Sequence, residues 1–157
     1  MADGEKHRYG PDIDRALSVW VVINRAFSAL QKIAALDVRR RGFNLTEWGV
    51  LEYLYHKGAQ PLAKVGREIL ITSGSVTYVI DKLETKGLIE RIPCESDRRV
   101  IYASLTSKGK ELMAQEFPGH AAVIRDFLSP LSSEEQEQLK SFMKRLGLSA
   151  AKQVESK

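Results

Sequence analysis

Residues 83–109, LETKGLIERIPCESDRRVIYASLTSKG, leave this chain little freedom of local structure. The apolar positions Val76, Val79, Ile80 and Leu83 mark one face of a helix, and Gly87 is its natural stop. Two short alternating runs follow, LIERI and VIYASL, separated by a polar tip, and together they read as a β-hairpin. Thr106 then stands where the next helix would open. A thin hairpin wedged between two helices excludes most architectures. It also leaves Asp97, Arg98 and Arg99 at a tip where they can pack against nothing.

The flanking segments complete the pattern. From Ile13 to about Arg40, apolar residues recur at Ala16, Trp20, Ile23, Phe27, Leu30 and Ala34, the spacing of one helix face. Val19, Val22, Ala26 and Ile33 widen that stripe beyond what a lone surface helix needs. Arg39, Arg40 and Arg41 favour a helix C-terminus there, and Gly42 ends it. Thr46 is the expected cap of a second helix ending at Gly58, and a short helix is expected from about Leu62 to Ile69. Thr72 is expected to cap the helix before the hairpin. A long helix from Thr106 to about Leu128 is broken at Ser129-Pro130, and Ser132-Ser133-Glu134-Glu135 offers a capping box for a last one. The order predicts a mainly α fold, a winged helix-turn-helix with a two-stranded wing.

Composition narrows the function. A chain of 157 residues suits one domain, and 43% hydrophobic with 28% charged residues is a globular balance. No uninterrupted apolar run approaches a membrane span, and MADGEKHRYGPD lacks a signal peptide's apolar core, so a cytoplasmic location is expected. One cysteine rules out an internal disulfide framework. Residues 61–110 carry 9 basic and 6 acidic side chains, the largest basic excess along the chain and a weak pointer towards nucleic acid.

The residues opposite the buried face of the fourth helix carry the chemistry. Thr72, Ser73, Ser75, Thr77 and Tyr78 are small or hydrogen-bonding groups near a helix N-terminus, suited to base edges and phosphates in a major groove. Lys82, one turn on, is expected to hold phosphate. An ordinary solvated face is the competing reading, and the neighbouring wing decides against it. Guanidinium groups of Arg98 and Arg99 on a projecting hairpin suit a narrow minor groove. Asp97 would be repelled by phosphates, so it is expected to pair with an arginine or with the hairpin backbone and fix the tip.

This segment resembles the MarR family of bacterial regulators. In that family a Leu-Glu-x-x-Gly-Leu-x-x-Arg strand entry leads to an Asp-x-Arg wing, then to Leu-Thr with Gly close behind. The matching residues are Leu83, Glu84, Gly87, Leu88, Arg91, Asp97, Arg99, Leu105, Thr106 and Gly109. Gly49 departs from the polar helix former common at its position. The resemblance implies a homodimer reading a pseudo-palindromic operator, with dimerisation helices at about 12–41 and 106–148 and a DNA-binding lobe at about 45–105. Residues 1–11 and 149–157 are then tails. It also implies a repressor released by a small aromatic or phenolic ligand bound near the first two helices, where Trp20, Phe27, Trp48 and Tyr53 could line a pocket.

Alternatives remain open at this point. Cys94, close to Arg91, Arg98 and Arg99, is a candidate redox or electrophile sensor if the arginines lower its pKa, although the family's peroxide sensors carry the thiol in the first helix. A winged helix can serve as a protein-interaction module, which would favour an apolar third helix and no arginine wing. An enzyme would need a glycine-rich cofactor loop, a Ser-His-Asp set or paired carboxylates, and none is evident. His7, His56 and His120 have no metal-ligand spacing, so neither a metal nor a cofactor is expected.

Overall fold

The computed structural model describes residues 9–69, 73–97 and 99–155. Thr72, Arg98 and His7 lie outside them, as does the side chain of Ser73. The elements in chain order are α1 (Pro11–Arg40), α2 (Leu45–Lys57), β1 (Gln60–Pro61), α3 (Leu62–Glu68), α4 (Ser73–Thr85), β2 (Ile89–Pro93), β3 (Ile101–Leu105), α5 (Ser107–Leu128) and α6 (Ser133–Glu155). This is the expected winged helix-turn-helix between long helices. One compact unit ends at Phe117 and a second begins at Pro118, inside α5.

Several boundaries differ from the sequence reading, each for a local reason. Pro11 opens α1 at its first position, where a missing N–H costs nothing, and Asp12 and Asp14 favour that end of the dipole. Asn44, not Thr46, caps α2: its side chain accepts from the Glu47 amide at 2.8 Å, and Glu47 reaches back to the Asn44 amide at 3.1 Å. The sheet has a third strand, because Gln60 and Pro61 pair with Ala103 and Tyr102, giving the order β1-β3-β2. The supposed tail from residue 149 continues α6 as far as Glu155. The capping box at Ser132 and Glu135 is present, with both reciprocal bonds formed.

The core of the first unit gathers Trp48, Val50, Leu51 and Leu54 of α2 with Val76, Val79, Ile80 and Leu83 of α4, closed by Leu88, Ile89, Ala103, Leu105 and Met113. The expected inward face of α4 is thus buried in full. α1 behaves differently. Only Asp37 and Val38 are buried along it, while Trp20 is 64% exposed and Val22, Phe27 and Leu36 are exposed as well. Among the described residues, much of the wide stripe is therefore left uncovered. By length and composition alone, α1 is also long and apolar enough to cross a membrane.

The wing is tied down by an unusually close approach. Gly87 ends α4 at φ 69°, with the Leu88 amide bonded back to the Leu83 carbonyl at 3.0 Å. Thr106 donates its hydroxyl to the Gly87 carbonyl at 2.7 Å and its amide to the Leu88 carbonyl at 3.1 Å, while accepting from the Gly109 amide at 3.1 Å. A Cβ on Gly109 would lie 2.1 Å from the Leu88 carbonyl oxygen, so the turn admits only glycine. Gly109→Ala should therefore destabilise by about 2–3 kcal/mol, lowering Tm by roughly 5–10 °C. Gly147→Ala is the control: a Cβ there meets nothing within 4 Å, so thermal melts should show no loss and up to about 1 kcal/mol of gain from helix propensity.

Candidate nucleic-acid interface

Burial of one face of α4 dictates what the other presents. Ser75, Thr77 and Tyr78 are exposed, Tyr78 at 68%. The N-termini of α2 and α4 meet in a groove of about 400 Å3 lined by Asn44, Thr46, Gly74, Ser75, Tyr78 and Val79. Thr46, read from the sequence as a cap, instead joins Ser75 and Tyr78 on this surface. The signal that could have placed it was Glu47, which sits three residues after Asn44 and so assigns the cap to Asn44.

Lys82, expected to hold phosphate, has a partner within the chain. Its ammonium lies 2.5 Å from the carboxylate of Glu47, a side chain only 2% exposed, and Lys86 approaches the same carboxylate at 3.8 Å. Burial alone would raise the Glu47 pKa, but the Lys82 bond and the Asn44 amide outweigh it and hold the carboxyl below its ordinary value. Lys82 is correspondingly raised, chiefly by its bond to Glu47. The structure gives it an internal partner on another helix.

The wing holds its arginine as anticipated. The Asp97 carbonyl accepts from the Val100 amide at 2.9 Å, closing the turn. The Asp97 carboxylate accepts from the Arg99 amide at 3.0 Å, from its Nε at 3.2 Å and from a terminal guanidinium nitrogen at 3.3 Å. Arg99 keeps that carboxyl below the usual range. The Arg99 side chain is nonetheless 91% exposed, so it is oriented at its root and presented at its end. At the base of the wing, Arg91 of β2 pairs with Asp81 at 2.5 Å and with Glu84, fastening the strand to the flank of α4.

Cys94 has a lowered pKa, and among the described residues Arg91 and Arg99 are not its cause. Its sulfur lies 3.2 Å from the Ser96 hydroxyl, and that bond lowers the pKa most, followed by the backbone amides of Asp97 and Ser96. The charge that acts on it belongs to Asp97 and opposes the shift. Ser96→Ala should accordingly move the pH midpoint of Cys94 alkylation upward, while Arg99→Ala leaves it in place. A single thiol in the chain makes the titration unambiguous.

The four aromatic residues expected near a pocket are not brought together. Trp20 and Phe27 are exposed on α1. Trp48 is a core residue with its ring centroid 6.0 Å from that of Phe43, and Tyr53 is half-buried against the same core. An open cleft of about 600 Å3 lies elsewhere, between the end of α1 (Lys32, Ala35, Leu36, Arg39) and the start of α2 (Phe43 to Thr46). None of the four lines it, and neither does Cys94.

With this geometry in hand, comparison with known proteins is specific. Residues 43–101 match the MarR family. The chain is 44% identical over 137 residues to the HTH-type transcriptional regulator MhqR of Bacillus subtilis (strain 168), a match covering 87% of this chain and 94% of the relative. Among solved structures it resembles Sco3205 of Streptomyces coelicolor, a MarR family regulator crystallised with DNA, at 23% identity and a TM-score of 0.79 over 92% of this chain and 91% of that one. It also resembles BpsR of Bordetella bronchiseptica, whose DNA binding is regulated by 6-hydroxynicotinic acid, at 21% identity and a TM-score of 0.74 over 83% of this chain and 98% of that one. The helix–hairpin motif, the winged fold and the 44% identity with MhqR lead to one conclusion: the chain belongs to the MarR family of winged helix-turn-helix transcriptional regulators, which are DNA-binding proteins and not enzymes.

Proposed function

We propose that this chain is a sequence-specific repressor that binds a pseudo-palindromic operator as a homodimer and is released by a small aromatic or phenolic ligand. The observation that carries the reading is the pairing of two surfaces. α4 presents Ser75, Thr77 and Tyr78 outward, and the wing presents an arginine held by Asp97. In this reading Thr77 and Tyr78 meet base edges in the major groove, Thr46 and Ser75 lie against the backbone, and Arg99 enters the minor groove. Ser73, Thr72 and Arg98 complete the set from the sequence alone. Two-fold symmetry would set half-sites about one helical turn, roughly 34 Å, apart.

Support for the dimer comes from the apolar residues left exposed on α1, among them Leu17, Trp20 and Phe27, and on α6, where Leu139, Phe142, Met143 and Leu146 are exposed. Uncovered stripes of this kind mark interaction surfaces. Support for the effector comes from the cleft beside Phe43, whose walls include the cations Lys32 and Arg39. A flat apolar ring bearing an ionisable hydroxyl or acid group complements that mixture of surfaces.

Operator binding should fall steeply with salt, and Arg99→Ala should weaken it by roughly tenfold to a hundredfold, the scale of one charge-assisted contact, with no change in the thermal melt. An unshifted affinity would leave the wing arginine without a part in recognition. A chain that retains no genomic fragment at low salt would remove the DNA-binding reading altogether.

The ligand reading has a separate check. Cys94→Ser should still be released from DNA by phenolic compounds, because the thiol lies outside the cleft. If that variant stays bound under every quinone or oxidant that frees the parent protein, the regulator senses electrophiles through Cys94 instead.

A further inference from the structure

We propose that Glu47 is a positioning residue for DNA recognition: it ties α4 to the N-terminus of α2 and keeps two lysines beside the recognition surface off non-specific phosphate. The inference rests on the DNA-binding reading above and adds a determinant of selectivity to it.

The first step is to ask why a carboxylate is buried there at all. Glu47 is 2% exposed, and an ionised carboxylate is expensive to bury unless it is paired and hydrogen-bonded. The capping box does not require the charge. Its role is to accept from the Asn44 amide, which a glutamine at this position serves as well. What the charge does that a glutamine could not is hold Lys82 at 2.5 Å and draw Lys86 to 3.8 Å.

Those two lysines are well placed to disturb recognition. Lys82 lies four residues after Tyr78, on the same flank of α4, and Lys86 follows four residues later. Both stay partly exposed, Lys82 at 44%. Lys86 is further held over the Phe43 ring at 4.7 Å, with its ammonium 3.5 Å from the Gly42 carbonyl. One carboxylate on α2 therefore restrains two ammonium groups on and after α4 and fixes how α4 rests on α2. Released, each ammonium could neutralise a phosphate. Such a contact is indifferent to sequence and steepens the salt dependence by about 0.9 per phosphate. A less restrained α4 would at the same time present Thr77 and Tyr78 less reproducibly to base edges.

The test compares the full-length protein with Glu47→Gln and Lys82→Met on two duplexes of equal length. One is the tightest binder selected from genomic fragments and the other is random in sequence. Affinities are measured across a salt series, at a temperature where the helical signal of every variant is native. Glu47→Gln keeps the capping acceptor and frees both lysines. It should bind random DNA more tightly, steepen the log–log salt slope on that DNA by about two, roughly 0.9 for each freed lysine, and lower the ratio of selected to random affinity by roughly tenfold, the scale of one lost base contact. Lys82→Met breaks the tie without freeing a cation at that position. It should lower the same ratio while leaving the random-DNA slope no steeper than that of the parent. A residue that merely stabilised the fold would move neither slope nor ratio. If Glu47→Gln or Lys82→Met keeps the parent's ratio, or if Glu47→Gln leaves the random-DNA slope unmoved, the positioning role is overturned while the DNA-binding reading stands. A parent that does not discriminate between the two duplexes overturns that reading, and this inference with it.

Discussion

The carbonyl of Leu88 is the point on which the winged helix-turn-helix depends. Leu88 closes the end of α4 through its amide and the positive-φ Gly87, while its carbonyl accepts the Thr106 amide from the far end of β3 and sits where any side chain on Gly109 would collide. Four elements thus converge on two or three peptide units: α4 ends, β2 begins, β3 ends and α5 begins. The hairpin register follows, with Ile89 opposite Leu105 and Pro93 opposite Ile101. Since the strands are only five residues long, fixing their open end also fixes where the tip emerges. A displaced Gly109 would carry the wing arginine with it.

Charge is distributed in two regimes, and their magnitudes differ enough to assign different roles. Arg41 is largely buried, with Asp37 accepting at 3.0 and 3.1 Å and the Glu116 carbonyl at 3.0 Å, and it binds the end of α1 to α5. Removing one partner from such a buried pair typically costs about 3–5 kcal/mol. The Asp97–Arg99 pair stands in water, where ion pairs contribute about 0–1 kcal/mol to folding. Stability therefore does not account for two hydrogen bonds from a side chain so exposed. They restrict the conformations of a guanidinium that would otherwise sample many, and that restriction matters only to something outside the protein. Glu47 stands between the regimes, buried itself but paired with lysines that reach solvent.

How much could be read in advance follows the range of the forces. The inward face of α4, the glycine stop at 87, the wing strands and the Ser132 box are local patterns with periods of two or four residues, and all of them appeared where the sequence put them. Asn44 and Thr46 are both competent caps, and the glutamate three residues after Asn44 is what separates them. β1 is two residues long and has no periodicity to detect; its partner lies some forty positions away at Tyr102 and Ala103. Lys82 looked like a surface cation because its partner comes from a different helix, and a side chain's tertiary partner leaves no mark on its own neighbours. The aromatic residues divide for a related reason. Trp48 on α2 and Trp20 and Phe27 on α1 all lie within amphipathic helices, yet the core claims Trp48 and leaves Trp20 and Phe27 exposed. Cys94 had arginines near it in sequence, but the groups that touch its sulfur are the Ser96 hydroxyl and backbone amides.

Asn44 and Thr46 belong to two surfaces at once. They line the cleft at the end of α1, and they also line the groove shared with Ser75 and Tyr78. Under the proposed function these are the effector site and the edge of the DNA site, separated by a single turn of backbone. A ligand in the cleft need not send a signal across the molecule; it need only prefer one setting of the α2 N-terminus. Occupancy shifts the protein by no more than the difference in affinity between the two settings. Driving the equilibrium from 1:99 to 99:1 takes about 5.5 kcal/mol of preference, whereas a tenfold weakening of operator binding takes about 1.4. The second figure is within reach of one ring and one ion pair in a cleft of this size. The same backbone turn begins the helix that carries Glu47, so anything that moves Asn44 also moves the carboxylate that holds α4 in place.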